Sequence, residues 1–254
     1  MALPNNPPRA TVAALGTTTR ARRMTTLLLI RHGKASFGTD DYDRLCDQGI
    51  EQARALGLHM AREGRLPDAA VSGRLRRQAD TARHAFAAAE CSVPVATDAA
   101  FDEYPSDTLF TAYLPAVAAR HPEIAAAGDA LRHDRRLFQT ALAAVMDLWT
   151  AGEEAAVEET WAAFRERVRA GMERAVAGRG KDDVVAVFTS GGVIGTAVGE
   201  VLGLPAERAV ALSWRVQNAS VSEIHYGRSG FALAGFNAVS HLRLAGGEGL
   251  LSYR

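Results

Sequence analysis

Short apolar segments typical of β-strands alternate along this chain with segments of helical periodicity. Each candidate strand is rich in aliphatic or β-branched residues and bounded by turn residues. The candidate strands are Thr26–Arg31, Ala69–Ser72, Val93–Thr97, Val184–Ser190, Ser220–Tyr226 and Phe231–Asn237. Helical spacing of apolar residues predicts helices at Gly49–Arg62, Arg74–Ala89 and Gly191–Leu202, and a crossover helix from about Glu158. The alternation predicts a three-layer α/β/α sandwich with a mostly parallel sheet, and the last two strands are expected to form an antiparallel hairpin around Gly227.

Length and composition indicate one domain. The chain has 254 residues, of which 48% are hydrophobic, enough for one substantial core. We expect a single domain over 24–254 with a helical insertion at about 104–160, in which Pro115 and Pro122 interrupt the helices. Residues 1–23 are expected to be a disordered extension or the product of a misassigned start, with Met24 as the true start; a transit peptide is the alternative.

The charge, the cysteines and the histidines bear on the possible partners, the compartment and the presence of a metal. Lys+Arg and Asp+Glu number 29 each, so no global charge favours nucleic acid or a membrane surface. Cys46 and Cys91 lie outside any zinc-binding spacing, which favours a reducing, cytoplasmic compartment. The histidines away from the strand ends have no metal-ligand spacing and are expected to pack, cap or face solvent: His59, His84, His121, His133, His225 and His241. We therefore expect neither a metal nor a cofactor.

The apolar run Leu27–Ile30 ends in Arg31, His32 and Gly33. Ligands of α/β proteins bind beyond the carboxyl ends of the parallel strands. A neutral imidazole is a nucleophile, an arginine holds phosphate oxygens in bidentate fashion, and a glycine lets the backbone approach a ligand. The segment therefore predicts a site for an anion, in particular for a phosphoryl group. An incidental strand end is the alternative.

Two further segments carry charged candidates. Arg74, Arg76 and Arg77 open a helix after a strand, where positive charge opposes the helix dipole and a bound anion would relieve the cost. Solvated surface arginines are the alternative. Glu103 follows a short strand, and a carboxylic acid beside a phosphate site can protonate a leaving alcohol. An exposed loop carboxylate is equally consistent with the sequence.

A third segment, Val184–Gly192, is a strand that ends in Thr189 and Ser190 and turns through Gly191 and Gly192 into a helix. The glycines and the helix N-terminus offer backbone N–H donors to an anion. Such turns also occur for purely steric reasons.

Taken together and in order, these segments resemble the histidine phosphatase superfamily, also called the phosphoglycerate mutase-like family. Arg31-His32-Gly33 matches its strand-end motif, and Leu45–Ala53 resembles its Leu-Ser/Thr-x-x-Gly-x-x-Gln-Ala segment, with Cys46 in place of the hydroxyl residue. The segments 75–82 and 101–104 resemble those that carry the second phosphate arginine and the proton donor, and Asn218–Ser220 and Asn237–Leu242 resemble the C-terminal end.

The resemblance implies a phosphatase that needs no metal and acts on a small phosphorylated substrate. His32 would attack phosphorus and form a phosphohistidine, Arg31 and Arg77 would neutralise the phosphoryl oxygens, and Glu103 would protonate the leaving oxygen. Ser190 and Gly191 would complete the phosphate site.

Ser190 departs from the family pattern, because the second histidine of the family normally stands at this position. Serine donates one neutral hydrogen bond, whereas a charge-assisted bond is about twice as strong. Three functions therefore remain open: a phosphatase, a non-catalytic binder of phosphorylated ligands, and a phosphoglycerate mutase-type phosphotransferase.

Overall fold

The computed structural model describes residues 24–36 and 43–253, so the predictions made for residues 1–23 lie outside it. The strands are β1 (Thr25–Arg31), β2 (Ala69–Ser72), β3 (Val95–Thr97), β4 (Val184–Thr189), β5 (Val221–Gly227) and β6 (Gly230–Ala238). The helices are α1 (Asp47–Arg62), α2 (Arg76–Ala88), α3 (Ser106–Arg120), α4 (Pro122–Ala127), α5 (Arg135–Ala151), α6 (Trp161–Val176), α7 (Gly191–Leu202), α8 (Ala206–Ser213) and α9 (Ser240–Gly246). Single 3-10 turns cover Ala99–Phe101, Gly128–Arg132 and Gly247–Leu250.

The strands form one six-stranded sheet in the order β3-β2-β4-β1-β5-β6. The pairs β1–β4, β2–β4 and β2–β3 are parallel, whereas β5 is antiparallel to both β1 and β6. Every strand except β5 therefore runs in the same direction. This confirms the predicted α/β fold with a mostly parallel sheet, and the Gly227–Gly230 pair closes the predicted hairpin.

Alternating residues of the central strands pack against two separate helical layers. Leu28, Ile30 and Phe188 belong to one apolar cluster, with residues of α1 and α2. Leu27 and Leu29 belong to the larger cluster on the other face, with residues of α3, α5, α6, α7 and α8. Because successive side chains of a strand point to opposite faces of the sheet, each buried strand packs against both helical layers.

Helices α3 to α6 fill the chain between β3 and β4, and one detail of the prediction there is wrong. Pro115 was expected to interrupt a helix, but it lies inside α3. Leu109, Tyr113 and Val117, at helical spacing on both sides of it, are all buried, so packing outweighs the one hydrogen bond that the proline removes. Pro122, in contrast, occupies the first turn of α4, where its missing N–H costs nothing.

One end of the sheet is formed by the carboxyl ends of its parallel strands. It includes the ends of β1 and β4 and the starts of α2 and α7. The predicted bounds of α7 are confirmed, whereas α2 begins at Arg76 instead of Arg74 and β3 begins at Val95 instead of Val93. None of the described helices is both long enough and apolar enough to cross a membrane.

Candidate active site

His32 and Ser190 lie side by side at the carboxyl ends of β1 and β4. The parallel register pairs Arg31 with Thr189, and the His32 N–H donates to the Thr189 carbonyl over 2.8 Å. His32 and Ser190 are therefore the next residues along two strands whose spacing is about 4.8 Å. Both continue the face of Ile30 and Phe188, which packs against α1 and α2.

The imidazole of His32 is buried and held in one tautomer. Its Nδ1 lies 2.7 Å from the Gly33 carbonyl oxygen, which can only accept a hydrogen bond. Nδ1 therefore carries the hydrogen, and Nε2 presents its lone pair. Burial, followed by the charges of Arg31 and Arg77, holds the pKa of His32 well below its usual value, so the ring is neutral and Nε2 can act as a nucleophile.

Arg77 contacts His32 directly. Its Nε donates to Nε2 of His32 over 3.2 Å, and its Nη1 lies 2.7 Å from Oδ1 of Asp43. The neighbouring arginines face outward: the side chains of Arg74 and Arg76 are 68% and 56% exposed, against 10% for Arg77. The structure thus distinguishes the buried Arg77 from its two exposed neighbours.

Arg31 reaches toward the C-terminal part of the chain. Its Nη1 donates to the carbonyl oxygens of Val216 and Tyr253, the latter over 2.9 Å. A Cβ atom built on Gly191 would lie 3.7 Å from Nε of Arg31, so the start of α7 adjoins this guanidinium. Arg31 and Gly191 therefore lie close together.

Glu103 binds the first turn of α7. Its Oε2 accepts a hydrogen bond from the Gly192 N–H over 3.0 Å, and its Oε1 accepts one from the Tyr104 N–H over 3.1 Å. A Cβ on Gly192 would come within 2.0 Å of Oε1, so only glycine permits this approach. Burial raises the pKa of Glu103, although these hydrogen bonds and the nearby Arg77 and Arg31 oppose the rise.

Ser190 is fully buried, and its hydroxyl accepts a hydrogen bond from Nε2 of Gln78 over 2.8 Å. Gln78 follows Arg77 in α2 and is itself fully buried. The sequence did not single out Gln78, because a glutamine in a helix carries no signal of its own. Its partner is 112 positions away in the chain.

Three further residues that were not predicted support the site. Asn218, which the sequence analysis quoted only as part of a resemblance, donates from Nδ2 to the His32 carbonyl over 3.1 Å. Thr81 accepts a hydrogen bond from the Gly33 N–H over 2.9 Å and fixes the turn after β1. Asp43 accepts from the Arg76 N–H over 2.8 Å and so caps α2 from a distant loop. Thr81 and Asn218 lay within segments quoted for the family resemblance, whereas Asp43 did not.

The arrangement combines a neutral nucleophile, two guanidinium groups, backbone donors and a carboxyl group with a raised pKa. These are the groups that a phosphoryl transfer requires for attack, charge stabilisation and protonation of a leaving group. Within the described part of the chain, no cluster of three or more His, Cys, Asp or Glu side chains has the arrangement of a metal site.

Comparison with known proteins identifies the family of the chain. A family model described as "Histidine phosphatase superfamily (branch 1)" matches residues 27–239. A search of curated proteins found no match.

Solved structures with similar folds include both mutases and phosphatases. A phosphoglycerate mutase from Bacillus anthracis has a TM-score of 0.64 at 21% identity, covering 88% of this chain and 97% of its own. A phosphoserine phosphatase mutant from Entamoeba histolytica, in complex with phosphoserine, has a TM-score of 0.60 at 18% identity, with 86% and 100% covered. A mycobacterial glucosyl-3-phosphoglycerate phosphatase has a TM-score of 0.58 at 22% identity, with 85% and 100% covered. At these identities the likeness establishes the fold.

Proposed function

Since the chain belongs to branch 1 of the histidine phosphatase superfamily, we propose that it is a metal-independent phosphatase. The substrate is a small phosphomonoester, and the reaction passes through a phosphohistidine on His32. The observation that carries the proposal is the state of His32. Its Nδ1 hydrogen is engaged by the Gly33 carbonyl, and its Nε2 lone pair faces the Arg77 guanidinium at 3.2 Å.

In the first step, Nε2 of His32 attacks phosphorus, an N–P bond forms, and the P–O bond to the ester oxygen breaks. Arg31 and Arg77 neutralise the non-bridging oxygens, on which the negative charge is spread during transfer. Protonated Glu103 gives its proton to the departing alkoxide, which leaves as an alcohol.

In the second step, a water molecule attacks the phosphohistidine. Glu103, now ionised, takes a proton from that water, the N–P bond breaks, and inorganic phosphate forms. His32 regains its lone pair at Nε2 and Glu103 its proton, so the enzyme returns to its starting state. The raised pKa of Glu103 supports this double role, because it increases the protonated fraction needed in the first step.

The proposal is tested by turnover of para-nitrophenyl phosphate and of a panel of phosphorylated metabolites, with EDTA present throughout. Wild type should release phosphate, and His32→Ala should not. His121→Ala, which removes a histidine with a 37% exposed side chain, is the matched control and should keep full activity. Rapid quenching with ³²P-labelled substrate should trap an acid-labile, base-stable phosphoenzyme on His32. Turnover that survives in His32→Ala contradicts the proposal.

A second candidate, binding of a phosphorylated ligand without turnover, is favoured by one observation. Ser190 supplies an uncharged hydroxyl beside the nucleophile, so the site holds less positive charge than one with an imidazolium at that position. This candidate predicts phosphate binding by calorimetry without a trapped phosphoenzyme. A phosphoglycerate mutase-type transfer is distinguished by an assay with 3-phosphoglycerate.

A further inference from the structure

Ser190 stands where a serine normally caps a helix, yet its side chain makes no capping hydrogen bond. It is the N-cap residue of α7, with an extended backbone. An N-cap serine oxygen usually accepts from the N–H two or three residues on. Here the first of those residues is Gly192, and its N–H donates to Glu103 instead. The hydroxyl of Ser190 is therefore not used for the local stability of α7.

Gln78 donates a hydrogen bond to the Ser190 hydroxyl and so fixes its orientation. Its Nε2 lies 2.8 Å from Ser190 Oγ and 3.0 Å from the carbonyl oxygen of Phe101. Because a carbonyl oxygen only accepts, the nitrogen end of the amide must face Phe101, and the same nitrogen then donates to Ser190. Gln78 is fully buried at the start of α2, directly after Arg77. The serine oxygen is thus held as an acceptor on one side.

A hydroxyl that accepts from one side still has one hydrogen to donate. Within residues 24–36 and 43–253, no acceptor takes the Ser190 hydroxyl hydrogen. The strand register places Ser190 beside His32, so a phosphoryl group on Nε2 of His32 would present its oxygens on that side.

We infer that Gln78 is a positioning residue that turns Ser190 into an oriented, uncharged donor to a phosphoryl oxygen. That the ligand is a phosphoryl group rests on the proposed function. It assigns a role to a buried glutamine that never touches the ligand. It also accounts for the pairing of a buried serine and a buried glutamine at the carboxyl end of β4.

The inference is tested by a double-mutant cycle on the affinity for inorganic phosphate, measured by calorimetry on the full chain. The variants are Ser190→Ala, Gln78→Met and the two combined. Gln78→Leu, which removes the same hydrogen bonds with a different shape, replaces Gln78→Met should that variant not fold. Thr189→Val is the matched control, because the Thr189 hydroxyl also donates to the Phe101 carbonyl, over 2.7 Å, but makes no hydrogen bond to the Ser190 hydroxyl.

We expect Ser190→Ala and Gln78→Met each to weaken phosphate binding by about 10-fold or more, as for a lost hydrogen bond to a charged group. The combined variant should bind no more weakly than Ser190→Ala, whereas Thr189→Val should bind like wild type. Losses that multiply in the combined variant would show that Gln78 acts through the fold and not through Ser190, and unchanged affinity in Ser190→Ala would overturn the inference outright.

A second readout separates an uncharged donor from a donor that titrates. A serine does not titrate between pH 5 and 9, so the ratio of wild-type to Ser190→Ala affinity should be constant over about this range. Because these measurements use phosphate binding, they decide the inference even if the wild type proves to have no phosphatase activity. That result would count against the proposed function alone.

Discussion

Nε of Arg77 donates to Nε2 of His32 over 3.2 Å, so the arginine proposed to bind the phosphoryl group directly contacts the histidine proposed as nucleophile. The contact requires an unprotonated Nε2, and it contributes, with burial and Arg31, to the low pKa of His32. The same guanidinium binds Asp43 through Nη1, so Arg77 is held from two sides. Its planar, forked donors allow both contacts at once.

Replacing Arg77 with lysine should therefore impair catalysis although the charge is retained. A single ammonium group cannot bind His32 and Asp43 in this geometry and also hold two phosphoryl oxygens. We expect kcat to fall by about 10²–10³, the usual cost of one transition-state donor. Arg76→Lys, at the exposed neighbouring position, should leave kcat unchanged. Steady-state kinetics on para-nitrophenyl phosphate make the comparison, and equal activity of the two variants would exclude the proposed role of Arg77.

The pH profile should reflect the two opposed pKa shifts. Activity requires His32 deprotonated and Glu103 protonated, and their usual pKa values of 6.5 and 4.5 are in the wrong order for this state. Burial lowers the pKa of His32 and raises that of Glu103, which increases the competent fraction. We expect kcat/KM for an alkyl phosphate to fall on the alkaline side of its maximum as Glu103 ionises. Glu103→Gln should lose that alkaline decline, and a decline that persists would assign it to another group.

The leaving group should decide how strongly Glu103→Gln is impaired. Glutamine keeps one oxygen, which can accept from the Gly192 N–H, but it loses the acceptor for the Tyr104 N–H and cannot give up a proton, so the acid is lost at the cost of one backbone hydrogen bond. Phosphorylation of His32 by an alkyl phosphate, whose alkoxide needs that proton, should slow by about 10²–10⁴. With para-nitrophenyl phosphate, whose phenolate leaves unprotonated, the burst of nitrophenolate should be nearly unaffected. An equal loss on both substrates would contradict a general-acid role.

Local sequence patterns predicted most of the fold. β1 and α7 are continuous apolar or small-residue segments with clear ends, and they appear almost as expected. The helices α8 and α9 were not predicted, because with 8 and 7 residues they contain too few turns for a periodicity to appear. Pro115 was misassigned because the packing of α3 outweighs a local helix-breaking preference.

The site was predictable where a residue type and a strand or helix end coincide, as for Arg31, His32 and Arg77. It was not predictable where a residue acts through a distant partner. Asp43 meets Arg77 across 34 positions and Gln78 meets Ser190 across 112, and neither pairing leaves a mark on the local sequence. Only the three-dimensional arrangement distinguishes these residues from ordinary surface and core positions.

Cys46 offers a test of stability that leaves the chemistry untouched. It occupies the N-cap of α1 with an extended backbone and makes no side-chain capping hydrogen bond. Cys46→Ser supplies a hydroxyl oxygen to the free N–H groups of the first turn and should raise the free energy of unfolding by about 0.5–2 kcal/mol. Cys91→Ser, at the other cysteine, is the control for loss of a thiol. Urea denaturation measures both, and a Cys46→Ser variant no more stable than wild type would contradict the prediction.

His241 should make the stability of the fold depend on pH. It is buried, its Nε2 lies 2.9 Å from the Ala219 carbonyl oxygen, and burial lowers its pKa to about 4. In the unfolded chain His241 takes up a proton as the pH falls below its usual pKa of 6.5, whereas in the folded chain it stays neutral down to about pH 4. Protonation therefore favours the unfolded chain, and the free energy of unfolding decreases as the pH falls through this range.

We expect wild type to lose about 3 kcal/mol more than His241→Gln between those two pH values, at about 1.4 kcal/mol per unit of pKa shift. Glutamine can still donate to the Ala219 carbonyl but does not titrate. The measurement is urea denaturation at a series of pH values, and parallel curves for wild type and His241→Gln would show that His241 is protonated as readily in the folded chain as in the unfolded one.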